Sequence, residues 1–184
     1  MGVEPSVVAV VTAGSDLAAT VRNLNQLYLH DLSESAGWDA ADDGRFPEED
    51  VAGYWQDPRC HPFLVRVDGR LGGFAVVDGY SHLSGESGIR DIAEFFVLRK
   101  YRRIGVGRCA AGLLFERFPG RWEVRQLPGN TAATAFWLST IGELTSGRFT
   151  NYRVDRPEPA QVQAFTYPAD RDPHPGGLEG VAGG

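Results

Sequence analysis

The stretch EFFVLRKYRRIGVGR, from Glu94 to Arg108, decides how the rest of the 184-residue chain is read. Its first half is an apolar, aromatic run of the kind that fills a strand. Its second half crowds Arg99, Lys100, Arg102, Arg103 and Arg108 around Gly105 and Gly107, five of the chain's eighteen basic residues. Beyond it, GVGRCAAGLLFERF places Val106, Ala110, Leu113 or Leu114, and Arg117 at helical spacing, and Pro119-Gly120 ends the helix. A strand therefore runs through a basic glycine loop into a helix. Glycines let backbone N–H groups approach an anion, and a helix starting there points the positive end of its dipole at the same spot.

Charge sharpens that reading. Residues 99–125 hold eight basic against two acidic side chains, a net of +6, in a chain whose total is −6. The remainder, ten against twenty-two, carries −12. A basic island in an acidic body fits one anionic ligand at one place and disfavours a DNA-binding surface. Hydrophobic residues make up 42% and charged residues 23%, the profile of one globular domain, expected over residues 1–167 with a flexible Pro/Gly-rich tail at 168–184. No apolar run is long enough to span a membrane. Cys60 and Cys109 have neither metal-ligand nor disulfide-framework spacing, so no metal is expected and a reducing cytoplasm is the default. Lys100 is the sole lysine, a skew that fits a GC-rich bacterial genome.

Outward from the central stretch, VVAVVTA (7–13) reads as a strand. Leu17, Val21, Leu24, Tyr28 and Leu32 then recur at helical spacing. A polar connection leads to a short helix around Glu48–Trp55. FLVRV and LGGFAVV flank an Asp-Gly turn and read as a hairpin. SHLSGESG is a loop, and DIAEFFVL (91–98) a further strand. After the helix comes RWEVRQL, then Pro128-Gly-Asn130 opening a short helix through Trp137, then closing strands at 147–154 and 160–167. The fold class is α/β, with one strong strand–helix–strand unit at 91–127 on a mostly antiparallel sheet.

Three phosphate-binding patterns compete at the glycines. The G-x-x-x-x-G-K-[ST] loop is absent. GVGRCA satisfies the loose dinucleotide pattern G-x-G-x-x-A, but three strands precede the one that leads into it and the next strand ends in Gln126-Leu127 rather than an acid. The third pattern takes Arg102-x-x-Gly105-x-Gly107 as the unit. In EFFVLRKYRRIGVGR this R-x-x-G-x-G, between strand and amphipathic helix, resembles the acyl-CoA-binding signature of the GNAT superfamily of N-acyltransferases. PGNTAATAFW, with Asn130 opening a helix after the next strand, resembles that family's second signature.

The resemblance spans roughly residues 7–167 and implies a single-domain GNAT-like fold. Its central mixed sheet would have about six to seven strands, flanked by about four helices and splayed at the cofactor site. It implies acetyl-CoA or another acyl-CoA as donor. Phe96, Val97 and Leu98 would pair with the pantetheine arm. Arg102, Arg103, Ile104, Gly105, Val106, Gly107 and Arg108 would hold the phosphates, and Asn130 and Trp137 would line the cofactor. The acceptor would be a primary amine of a small molecule, attacking directly in a ternary complex. Glu94 is the favoured base because its apolar neighbours would desolvate it. Asp91 is second, and three positions apart on a strand the two are expected on opposite faces. Trp137 stands where the family often has a proton-donating tyrosine, and Tyr152 is the substitute acid. His30, Asp31 and Glu34 follow the first helix, in the region that lines the family's acceptor pocket. Two other functions remain open: aminoacyl transfer from aminoacyl-tRNA bound at the basic island, and a non-catalytic acyl-CoA-binding module. Monomer and homodimer are both compatible.

Overall fold

The computed structural model describes residues 6–47 and 51–168. The expected tail falls outside them apart from Pro168. Ten main elements follow in order: β1 (Val8–Thr12), α1 (Ala18–Ala36), β2 (Cys60–Val67), β3 (Arg70–Tyr80), β4 (Ser87–Val97), α2 (Val106–Arg117), β5 (Gly120–Gln126), α3 (Thr131–Leu144), β6 (Thr150–Val154) and β7 (Ala160–Tyr167). They form one seven-stranded sheet in the order β1-β2-β3-β4-β5-β7-β6, antiparallel except for the β4–β5 contact. The mixed α/β class and strand number agree with the sequence reading. Among the described residues there are three α-helices rather than about four. The segment expected to be helical near Trp55 is a short 3-10 turn at Val51–Trp55, and residues 48–50 lie outside the description. No described helix is long and apolar enough to cross a membrane.

Local chemistry accounts for the joints. Asp68 and Gly69 both take positive φ (49° and 75°), the tight turn whose twist suits a β2–β3 hairpin. Gly37, at φ 71°, caps the C-terminus of α1. β4 begins at Ser87, four residues before the apolar run that announces it, because Ser87 pairs with Tyr80 although Ser and Gly have poor strand propensity.

Helix α1 covers one face of the sheet through Val21 and Leu24 against Leu64, Phe74, Val76 and Phe96. α2 and α3 cover the other. There Phe115 is fully buried and meets the rings of Trp122 at 4.7 Å and Phe165 at 5.0 Å, both edge-on. Such aromatic pairs add roughly 0.5–1.5 kcal/mol each beyond their area.

Candidate active site

The sheet opens at the one parallel contact among its described strands. β4 and β5 pair at Ile89–Arg121, Arg90–Trp122 and Asp91–Glu123, and nowhere further. Past Asp91, β4 runs on against β3 as far as Val97, while β5 runs on against β7 as far as Gln126. The two strands thus diverge into a wedge whose walls are strand edges. Near its mouth the Leu98 N–H donates to the Gly72 carbonyl at 2.8 Å, and a Cβ on Gly73 would come within 2.0 Å of the Phe96 oxygen. Both groups point at β3, so strand alternation turns the N–H and carbonyl of Val97 into the wedge.

At that mouth lies the basic glycine loop. Arg99–Tyr101 make a 3-10 turn, Arg103 takes φ 62°, and Gly105 opens α2 at φ 89° with no side chain capping the helix. The first N–H groups of this twelve-residue helix are therefore free of a side-chain acceptor, the arrangement an anion completes. Gly107 faces the ring of Phe136, and a Cβ there would approach it to 3.0 Å. Phe136 stacks on Phe95 of β4. Ile104 is exposed and Val106 is buried.

The remaining expected cofactor residues have partners within the chain. Arg102 donates from Nε to the Val97 carbonyl at 2.6 Å and ion-pairs with Asp31. Arg108 ion-pairs with Glu143 of α3. Asn130 accepts from the Ala133 N–H at 3.0 Å and so caps α3. Trp137 is only 5% exposed and lies edge-on to Phe95 and Phe136, both at 4.9 Å, which makes it a core residue between α3 and β4.

Asp31 contacts arginines of the loop. One oxygen accepts from Arg99 at 2.6 Å and the other pairs with Arg102. Burial pushes the Asp31 carboxyl up, but the two guanidinium groups override it and hold it below its ordinary value. His30, Asp31 and Glu34 lie within the last turns of α1 rather than after it; His30 packs edge-on to Phe46, and Glu34 is exposed within the field of Arg99.

One expectation about the bases is corrected. Val76 pairs with Glu94 but Val77 pairs with Ile92, so Ala93 is a β-bulge residue. The extra residue reverses the alternation and brings Asp91 and Glu94 to the same face, the one that carries α1. Glu94 there hydrogen-bonds the phenol of Tyr28. Burial first, and Glu94 second, raise Tyr28 well above its ordinary value. Asp91 is fully buried and accepts from Arg125 Nε at 2.8 Å. Burial raises its carboxyl, and Arg125 only partly offsets this. Tyr152 of β6 is 40% exposed on that face, raised by burial and then by Glu123.

Sequence reasoning missed Tyr28, Asp78, Glu123 and Arg125. Asp78 bonds His82 at 2.6 Å, and Glu123 accepts from the Ser81 hydroxyl at 2.6 Å. The available signal was a charged residue set inside an apolar strand, as in FAVVDGY and RWEVR.

Known structures share this architecture. Aminoglycoside acetyltransferase AAC(6')-Ib in complex with coenzyme A superposes with a TM-score of 0.64 at 15% identity, covering 88% of this chain and 96% of that one. RimJ of Mycobacterium smegmatis, in complex with CoA-disulfide, gives 0.61 at 16% identity over 89% and 84% of the two chains. The ribosomal-protein-S18-alanine N-acetyltransferase of Escherichia coli gives 0.54 at 15% over 91% and 97%. No curated protein sequence matches the chain. The sequence pattern of the acetyltransferase (GNAT) family matches residues 22–142, two thirds of the length and all of the wedge's β4 wall, its glycine loop and β5, and on this the chain belongs to the acetyltransferase (GNAT) family.

Proposed function

We propose that the protein transfers an acyl group, most readily acetyl, from acyl-CoA to a primary amine of a small molecule. The observation that carries this reading is the wedge between β4 and β5 with an uncapped, glycine-opened helix at its mouth. The pyrophosphate of CoA fits the N–H groups of α2 beside Gly105 and Gly107, with Arg103 in reach of the same loop. The pantetheine arm enters the wedge and pairs with the edge of β4, supported by the inward N–H of Val97. Phe96 and Leu98 hold this edge from either side, and Ile104 and Val106 frame the loop.

The acceptor comes from the α1 face, where Glu94, Asp91 and Tyr28 meet. Its nitrogen attacks the thioester carbon, the C–N bond forms, and the oxygen gathers charge opposite the Val97 N–H. A preorganised donor there is worth around 10² to 10³ in rate. The nitrogen's proton passes to Glu94, whose carboxylate the Tyr28 hydrogen bond holds in place. As the C–S bond breaks, the CoA thiolate takes a proton from Tyr152, whose raised phenol is protonated at neutral pH. Trp137 serves as packing beneath Phe95 in this scheme. Asp31, with His30 and Glu34 beside it, positions Arg99 and Arg102 as well as bordering the acceptor side.

The test is thermal unfolding with saturating acetyl-CoA, followed by thiol release on adding a panel of primary amines. Ligand at 100 times its Kd adds about 2.7 kcal/mol, which raises the melting point of a domain this size by roughly 5–10 °C. No shift with CoA or acetyl-CoA rejects the reading.

A further inference from the structure

The wedge narrows to a closed end, and the two faces of the sheet close it differently. Beyond the last β4–β5 pair, Asp91–Glu123, the next residues are Ile92 and Val124. Both are buried on the face covered by α2 and α3, in one cluster with Trp137, and Phe95 packs at the margin of that cluster. Trp137 crosses beneath the seam, since it belongs to α3 and yet its ring lies 4.9 Å from that of Phe95 on β4. Phe136 sits against it at the same distance, and Phe115 at 6.4 Å. The indole therefore fills the space under the point where the two strands part.

The α1 face is closed by charge. Arg125, two residues past the last pair on β5, reaches back to Asp91 on β4 at 2.8 Å, so a side-chain bond spans the seam. An apolar chain laid against that pair would take water from it and return no hydrogen bond.

A thioester arm that enters at the glycine loop leads with its acyl group, which places the acyl chain on the closed side of Val97. Phe95 is two residues from Val97 in that direction, about 7 Å along the strand. A methyl group ends short of the aromatic floor. A longer chain runs onto Phe95 and Trp137, and a close-packed interior takes in extra methylenes only by forcing side chains and backbone aside.

We infer that Trp137 determines which acyl group the protein accepts: the indole, backed by Ile92 and Val124, is a stop that admits acetyl and turns away longer chains such as hexanoyl. This rests on the acyltransferase reading and names the donor class of its site. It gives the position a part in specificity that needs no proton from the indole.

Calorimetry with CoA, acetyl-CoA and hexanoyl-CoA tests it without an acceptor amine. Each acyl-CoA affinity is divided by that of CoA for the same protein, so that a general loosening cancels. The wild type should bind hexanoyl-CoA at least tenfold more weakly than acetyl-CoA, as a mismatch of a methylene or more does in an apolar pocket. In Trp137→Leu that gap should close, and in Val124→Ala, the milder change, it should narrow. Val124→Ala decides the question if the leucine variant no longer binds CoA. Equal binding of the two acyl-CoAs by the wild type overturns the stop, and so does a gap that Trp137→Leu leaves unchanged while still binding CoA. Absence of binding of CoA and acetyl-CoA to the wild type would instead reject the acyltransferase reading.

Discussion

Gly105→Ala separates the backbone's part in the cofactor loop from everything around it. Gly105 sits at φ 89° and opens α2, and a Cβ there meets no atom within 4 Å. Sterics inside the protein therefore contribute nothing, and the cost is the left-handed conformation itself, about 1–2 kcal/mol for an alanine. At about 2–4 °C per kcal/mol for this size, the melting point should fall by roughly 2–8 °C without ligand. The methyl group would also stand where the α2 N–H groups receive the pyrophosphate, so acetyl-CoA affinity should weaken by at least tenfold, more than stability predicts. Differential scanning fluorimetry with and without acetyl-CoA reads both effects, and Gly37→Ala is the control. Gly37 has a similar φ of 71° and equally open surroundings, but it ends α1. It should lose comparable stability and keep wild-type affinity. Equal loss of CoA affinity in both variants would refute the assignment of Gly105 to the phosphate site.

Other expectations follow from the same geometry. Glu94→Gln keeps an acceptor for Tyr28 and removes the base, so kcat should drop about 10²- to 10⁴-fold with CoA affinity unchanged; a pre-steady-state assay of thiol release checks it, and full activity would reject Glu94 as base. Asp31, held below its ordinary value of 3.8 by Arg99 and Arg102, contributes stability that is complete above that value and is lost as pH falls through its lowered folded pKa. Asp31→Asn should accordingly flatten the acid limb of the stability curve, measured by urea unfolding from pH 6 downwards, and an unchanged limb would contradict the ion pairs. Burial, with Asp78 beside it, pushes the Cys60 thiol up to about 12, so at pH 8 roughly one part in ten thousand is thiolate. Exposed Cys109 should label with a maleimide at pH 8 while native Cys60 stays unmodified, as intact mass after a timed reaction would show; two rapid labels would argue against that environment.

The chain announced its fold where single residues impose a local rule. The Asp68-Gly69 turn, the apolar run into Val97, Gly105 at the head of a helix and Asn130 as a cap are each legible because the backbone leaves few alternatives. What sequence could not supply was parity and pairing. Nothing in GIRDIAEFFV marks Ala93 as a bulge, since the bulge arises from how β3 and β4 register, and without it Asp91 and Glu94 fall on opposite faces. Nor does the spacing of Asp78, Asp91 and Glu123, on three strands far apart in sequence, disclose that they stand in one line. The bond from Asp31 to Arg99 and Arg102 joins residues some seventy positions apart, which helix periodicity does not register. Trp137 illustrates the opposite case: the family position invited a chemical role, and its aromatic neighbours make it interior.

The three-residue seam between β4 and β5 also bears on how the protein comes into being. The strands from Val8 to Val97 lie on one side of the wedge, and those from Gly120 to Tyr167 lie on the other. β5 borrows three pairings from β4 but seven from β7, a strand more than thirty residues further along the chain. A nascent chain therefore displays its glycine loop while the facing wall still lacks the strand that holds it in place. Synthesis of β7, rather than emergence of the glycine loop, is thus the event that completes the wedge.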